Sequence, residues 1–201
     1  MVSVIVLLIT AAWSAARSSA YASPAGIHEG PGSIVTIDFP ADAQAFAVAV
    51  QPDGRVVTAG TVHQRFALAR QRTDGHLDAG FGDNGTAEMG FGAESMASAL
   101  VLQPDGRILA GGYTDDGTGN THFALARFHT DGTPDETFGN AGKTTTHFAD
   151  TPDQTNDQIN SLALQPDGKI LAGGYTDDGT GNTHFALARF HTDGTPDETF
   201  G

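Results

Sequence analysis

The chain has 201 residues, 39% of them hydrophobic and 17% charged, a balance that supports a buried core and excludes wholesale disorder. Lys and Arg total 10 against 24 Asp and Glu, a formal charge of −14 that repels a phosphate backbone and excludes nucleic acid as the expected partner. Cysteine is absent, which removes disulfides, thiolate nucleophiles and sulfur-based zinc sites.

The chain opens with an apolar run from Val2 to Ala12, followed by a small and polar stretch ending in Ala20-Tyr21-Ala22. This small-x-small ending reads as a secretory cleavage site, so residues 1–22 are expected to be a signal peptide and the protein to be secreted or held at a bacterial cell surface. The run is about half of the roughly 20 residues needed to cross a bilayer, so no transmembrane anchor is expected. No Lys or Arg precedes the apolar core, a departure from the usual signal pattern. Residues 23–33 read as a linker.

Three repeats follow, assigned to about 34–82, 83–139 and 140–201. Gln103 to Gly139 reads QPDGRILAGGYTDDGTGNTHFALARFHTDGTPDETFG, and Gln165 to Gly201 repeats it with one change, Arg107 against Lys169. A divergent copy runs from Gln51 to Gly82. The anchors Gln51, Gln103 and Gln165 lie 52 and 62 residues apart, too far for a helical solenoid and near the length of a propeller blade. Turn chemistry divides each copy into short strands. In the last copy these are Ser161 to Gln165, Lys169 to Thr176 and His184 to His191, with Pro166-Asp167-Gly168 as the first turn. Lys143 to Phe148 supplies a fourth-strand segment, and Gly85 to Phe91 and Gly32 to Phe39 match it. Alternation places Phe185, Leu187 and Arg189 on one face of the third strand and Ala186, Ala188 and Phe190 on the other. Both faces are apolar enough to be covered, as in a sheet stacked between two similar sheets. The fold class is therefore all-β, with tandem four-stranded antiparallel blades in a propeller-like array of three, incomplete or open. A closed ring typically needs about four to eight blades. Three arrangements fit: part of a longer array, an open stack, or two chains sharing one ring, so that neighbouring repeats or a second chain complete it.

With its QPDG(R/K)ILAGG, FALARF and DGTPDETFG elements, the repeat resembles the bacterial delta-60 repeat family over about residues 30–201. The resemblance implies a propeller-like fold in large exported or surface proteins, and no established catalytic residue. The first copy departs from the pattern by lacking the Gly-Gly-Tyr and TDDGTGN segments.

The copies differ in length at two connections. Thr114 to Thr121 and Thr176 to Thr183 (TDDGTGNT) replace a short connection in the first copy, and Ala149 to Gln158 is longer than its counterpart after Phe91. In an up-and-down sheet both connections emerge at one end, a gathering of insertions that marks a working surface. That face is expected to carry Asp115, Asp116, Asp150, Asp153, Asp157, Asp177 and Asp178. As metal candidates, Asp115, Asp116 and Asn120, with Asp177, Asp178 and Asn182, offer oxygen ligands of the kind calcium takes; the competing reading is a turn whose side chains bond their own backbone. No cofactor is required by the sequence. His122, His129, His184 and His191 lack ligand spacing and read as structural or surface residues. Arg70, Arg127 and Arg189, each followed at one offset by Asp78, Asp135 and Asp197, read as structural ion pairs. Adjacent Asp135 and Glu136 do not suggest a facing acid/base pair. The expected function is a non-catalytic exported repeat module binding a surface protein or glycan through its acidic loop face, the alternative being a hydrolase or lyase with a site assembled across blades.

Overall fold

The computed structural model describes residues 26–29, 35–39, 41–148 and 156–201. The expected signal peptide and most of the linker lie outside them, as do Asp150 and Asp153. Among the described residues every regular element is a strand. Two short strands, β1 (Gly26–Glu29) and β2 (Val35–Asp38), pair antiparallel. The first full sheet contains β3 (Ala43–Val50), β4 (Val56–Val62), β5 (Arg65–Gln71) and β6 (Thr86–Met89) in sequence order. The second contains β7 (Ser95–Leu102), β8 (Ile108–Asp115), β9 (Thr121–Phe128) and β10 (Lys143–Thr146). The third has β11 (Gln158–Leu164), β12 (Ile170–Asp177) and β13 (Thr183–Phe190). All neighbours are antiparallel, as tight connections between successive strands require. The fold is thus all-β, with three open antiparallel sheets of three or four strands.

Local chemistry explains the register. In each QPDG turn the glycine adopts a positive φ (84° at Gly54, 85° at Gly106, 83° at Gly168), and its amide donates to the carbonyl of the glutamine three residues earlier. The first strand of each sheet carries a bulge at the same place, between Ala45 and Ala47, Ala97 and Ala99, and Ile159 and Ser161. The bulge drives a carbonyl against the second strand. A Cβ at Gly60, Gly112 or Gly174 would lie 1.8 Å from the oxygen of Gln44, Met96 or Gln158 respectively. The first copy, although it lacks Gly-Gly-Tyr, therefore keeps the one glycine the bulge requires.

The sheets stack face to face. Phe66 and Leu68 of β5 and Val57 of β4 pack with Ile108, Ala124 and Phe128 of the second sheet. Phe123 and Leu125 of β9 pack in turn with Ile159, Ile170 and Phe190 of the third. A smaller cluster of Ala43, Val62 and Ala67, joined by Phe39 and Ala41, lies on the opposite face of the first sheet. The expectation that third strands are covered on both faces holds for β5 and β9. It fails at β13, where Phe185 is 105% and Leu187 52% exposed, because no described sheet lies beyond that face.

Two adjacent glycines test the bulge. Gly174→Ala forces a Cβ into a backbone oxygen and is expected to cost about 3 kcal/mol. Gly173→Ala meets only Leu187 at 3.7 Å and is expected to stay within about 0.5 kcal/mol of the parent in denaturant titrations.

Candidate functional site

The three arginine–aspartate pairs form one node per sheet, at the end where the QPDG turns lie. In the second sheet Nε of Arg127 donates to Oδ2 of Asp135 at 2.8 Å, and Arg107 pairs with the same oxygen at 2.9 Å. The other oxygen, Oδ1, accepts from the Thr137 hydroxyl at 2.6 Å and the Thr137 amide at 3.1 Å. The Arg127 guanidinium lies 4.6 Å from the centroid of the Phe138 ring. Its Nη1 then crosses to the next sheet and donates to the Thr192 carbonyl. The first sheet repeats this with Arg70, Asp78, Arg55, Phe81 and the Thr130 carbonyl. The third repeats it with Arg189, Asp197, Lys169 and Phe200.

Burial works against ionisation of Asp135, but the Thr137 hydroxyl and amide and the Arg127 guanidinium outweigh it and bring its pKa down to about 2. Asp197 is likewise held below the ordinary carboxylate range, by the Thr199 hydroxyl first and then the Lys169 ammonium. Every oxygen of the Asp135 carboxylate is engaged by a structural donor, and neighbouring Glu136 is exposed while Asp135 is buried, so the two form no facing acid/base pair. The ion-pair reading of the sequence is what the structure contains. The sequence reading missed Arg55, Arg107 and Lys169 as second cations, the aromatic ring beneath each arginine and the carbonyl captured on the adjacent sheet. The one difference between the last two copies, Arg107 against Lys169, preserves a positive charge at the same carboxylate. Shallow polar clefts open beside the nodes at both sheet junctions, lined at the second by Gln103, Asp105, Arg107, Thr192 and Asp193 and at the first by the corresponding Gln51, Asp53, Arg55, Thr130 and Asp131.

The variable connections lie at the other end. The Asp115 amide donates to the Glu94 carbonyl at 2.7 Å, and the Asp157 amide to the Thr121 carbonyl at 3.0 Å, so the segment entering a first strand runs beside the loop joining the second and third strands. Asp115, Asp116 and Asn120 come together within one loop. Asp116 Oδ1 accepts from the Thr118 amide and hydroxyl, both at 2.7 Å, and Oδ2 accepts from Asn120 Nδ2 at 3.0 Å. Asp115 Oδ1 accepts from the Gly117 amide at 2.5 Å. Asp177, Asp178 and Asn182 repeat the arrangement, with Asp178 bonded to Thr180 and Asn182. These bonds hold Asp116 and Asp178 well below the usual carboxylate range, the threonine hydroxyl contributing most in each. His122 and His184 lie 3.7 and 3.5 Å from Asp116 and Asp178, an across-hairpin pairing that linear spacing did not suggest. Among the described residues no group of three or more His, Asp or Glu side chains is placed to hold a metal ion.

One expected surface residue is misplaced in the sequence reading. Asp157 is fully buried, with Oδ2 accepting from the Phe148 amide at 3.2 Å. It occupies the position of Ser95 in the second sheet, whose amide likewise donates to a carbonyl of the preceding sheet, that of Gln64. Of the expected acidic face, the described residues keep exposed Asp116 and Asp178 with half-buried Asp115 and Asp177.

The family model described as "Domain of unknown function (DUF5122) beta-propeller" matches residues 51–81, 103–138 and 165–200. The chain belongs to this DUF5122 beta-propeller family. Each matched DUF5122 segment runs from the glutamine of the QPDG turn to the phenylalanine under the arginine, so the whole node of each sheet falls inside it. The TDDGTGNT loops lie within the second and third DUF5122 segments, while Asp157 lies between them. No curated protein matches the chain.

Two measurements probe the two ends. Because the folded pKa of Asp135 is depressed from 3.8 to about 2, its contribution is present above about pH 4 and lost as pH falls through about 2. The melting temperature is expected to decline over that window, and to decline less in Asp135→Asn, whose starting stability is already lower. At the loop end a calcium ion would have to take the Asp116 and Asp178 oxygens from their internal donors. Melting temperatures in excess calcium and in excess chelator are expected to coincide; a rise of several degrees with calcium would establish an ion site.

Proposed function

We propose that this DUF5122 chain is an exported, non-catalytic repeat module, akin to delta-60 repeat proteins, that binds or scaffolds at the cell surface through its loop-bearing end. The observation that carries the reading is the juxtaposition of the two length-variable connections, joined through the Asp157 amide and the Thr121 carbonyl at one end of the stack. Sequence is free to change there because the strands below are held by the opposite end. Exposed Asp116 and Asp178 give that end a negative character suited to a surface protein or glycan rich in cationic or hydroxyl groups. Export is supported by the apolar Val2 to Ala12 run and the small residues that follow it. The absence of catalysis is supported by the node carboxylates, whose oxygens are committed to arginine, lysine and threonine donors.

The test shortens both TDDGTGNT loops to the two-residue connection of the first sheet, where His63 and Gln64 occupy a turn with φ of 51° and 60°. Asn-Gly in that turn satisfies the positive φ values. Binding of the purified protein to isolated envelope material is expected to fall at least about tenfold with the circular dichroism spectrum unchanged. Undiminished binding would refute the assignment of the loop end, and turnover of a polysaccharide or ester panel that survives loop shortening would favour the hydrolase or lyase reading.

A further inference from the structure

Folding brings together two histidines that are distant in sequence. His147 directly follows Thr146, the last residue of β10, whose cross-strand partner on β9 is Phe123, so His147 stands beside His122. Neighbours across two antiparallel strands project from the same face of the sheet, and the two imidazole rings meet edge to face with centroids 5.5 Å apart. His147 is exposed. His122 is half-buried, and its Nδ1 is buried with no hydrogen-bond partner among the described residues. Its Nε2 lies 3.7 Å from Oδ2 of Asp116, beyond hydrogen-bond range.

Two imidazoles and a carboxylate are a ligand set for zinc and its neighbours among the divalent transition metals, whereas calcium takes oxygen ligands. Zinc holds imidazole nitrogens at about 2.0–2.1 Å in a tetrahedral arrangement, which puts the centroids of two coordinated rings roughly 5 Å apart and adjacent donor atoms roughly 3.3 Å apart. The observed 5.5 Å between rings and 3.7 Å between Nε2 and Oδ2 exceed these by a few tenths of an ångström. The three side chains therefore stand just short of converging on one point, and small side-chain rotations close the set. Asp116 Oδ2 accepts from Asn120 Nδ2 at 3.0 Å and, as a carboxylate oxygen, has a second lone pair to offer. The other sheets lack the full set. In the first, Arg65 and Gly90 stand where His122 and His147 do; in the third, His184 and Asp178 keep the imidazole–carboxylate pair at 3.5 Å, and no fourth strand is described beside them.

We infer that His122, His147 and Asp116 form a binding site for a divalent transition-metal ion of the zinc class, with water completing the coordination. The site does not depend on the loop end binding a surface partner. Its ion ties β10, the outer strand of the second sheet, to β9 and to the loop between β8 and β9, fastening the base of one TDDGTGNT loop to the edge of its own sheet. The two imidazoles set the preference for zinc over calcium, because neither is a ligand that a hard cation takes.

Isothermal titration calorimetry of zinc chloride into the full purified chain, untagged and stripped of metal with chelator, tests this. One zinc per chain is expected to bind at micromolar concentration, and to stay bound in a large excess of calcium. His147→Ala, His122→Gln and Asp116→Asn are each expected to weaken binding at least about tenfold with the circular dichroism spectrum unchanged. His147 is the decisive position, since an exposed side chain can be removed without opening a packed surface. His184→Ala removes the matching histidine of the third sheet and is expected to leave the affinity within about twofold of the parent. A chain that takes up no zinc at micromolar concentration overturns the proposal. So does undiminished binding in any of the first three variants, or a loss in His184→Ala equal to that in His147→Ala.

Discussion

A four-stranded sheet with an apolar side chain on either face of its third strand is not a stable object in water, and the structure is organised around that constraint. Phe123 and Leu125 project one way from β9 and Ala124, Ala126 and Phe128 the other, and all five are buried only because a sheet lies on each side. Hydrophobic burial of this kind is non-directional and would tolerate sliding of one sheet over the next. The node removes that freedom. Arg127 is fixed within its own sheet by Asp135, Thr137 and Phe138, and its Nη1 donates to a carbonyl of the neighbour, so the offset between sheets is set by a directional bond.

The chemistry of the node explains why it recurs with so little change. A buried carboxylate facing one guanidinium would leave lone pairs unsatisfied at a substantial desolvation cost. Asp135 meets two cations on Oδ2 and two donors from Thr137 on Oδ1, so the arrangement is complete only when residues from the QPDG turn, the third strand and the TPDETF turn assemble together. Removing any one leaves the others buried with less than their complement. Arg107 can become Lys169 because that position supplies charge from a partly exposed site. The third-strand arginine has no such latitude, since it must bond in one plane, stack on a ring and reach a second sheet at once.

Much of this was legible from turn chemistry and repetition. Strand order, the bulk of each strand and the Arg–Asp pairing followed from local signals, since the paired residues are eight apart and joined by one turn. The second cation was not legible because Arg107 reaches Asp135 through the folding of two strands, and the phenylalanine ring and the threonine carbonyl enter the node only through tertiary geometry. The burial of Asp157 was hidden for a related reason. Its composition is that of a loop, yet its amide is recruited by Thr121 of the preceding sheet, and the side chain is carried inward with it. The exposure of Phe185 could not be read from a FALARF segment identical to the buried one, because burial belongs to the neighbour and not to the strand.

The two ends of each sheet are consequently under different constraints. At the node end, Gly132 and Gly194 touch phenylalanine rings of the preceding sheet closely enough that even a Cβ would collide, so an insertion there would separate the sheets. At the loop end, described hydrogen bonds between sheets lie at the bases of the connections, as at Gln64 with Ser95 and at Thr121 with Asp157. The TDDGTGNT loops extend beyond those pairs and satisfy their polar groups internally, as Asp116 and Asp178 do. A property that differs from one repeat to the next has to reside where change costs the stack nothing, and in this fold that place is the loop end.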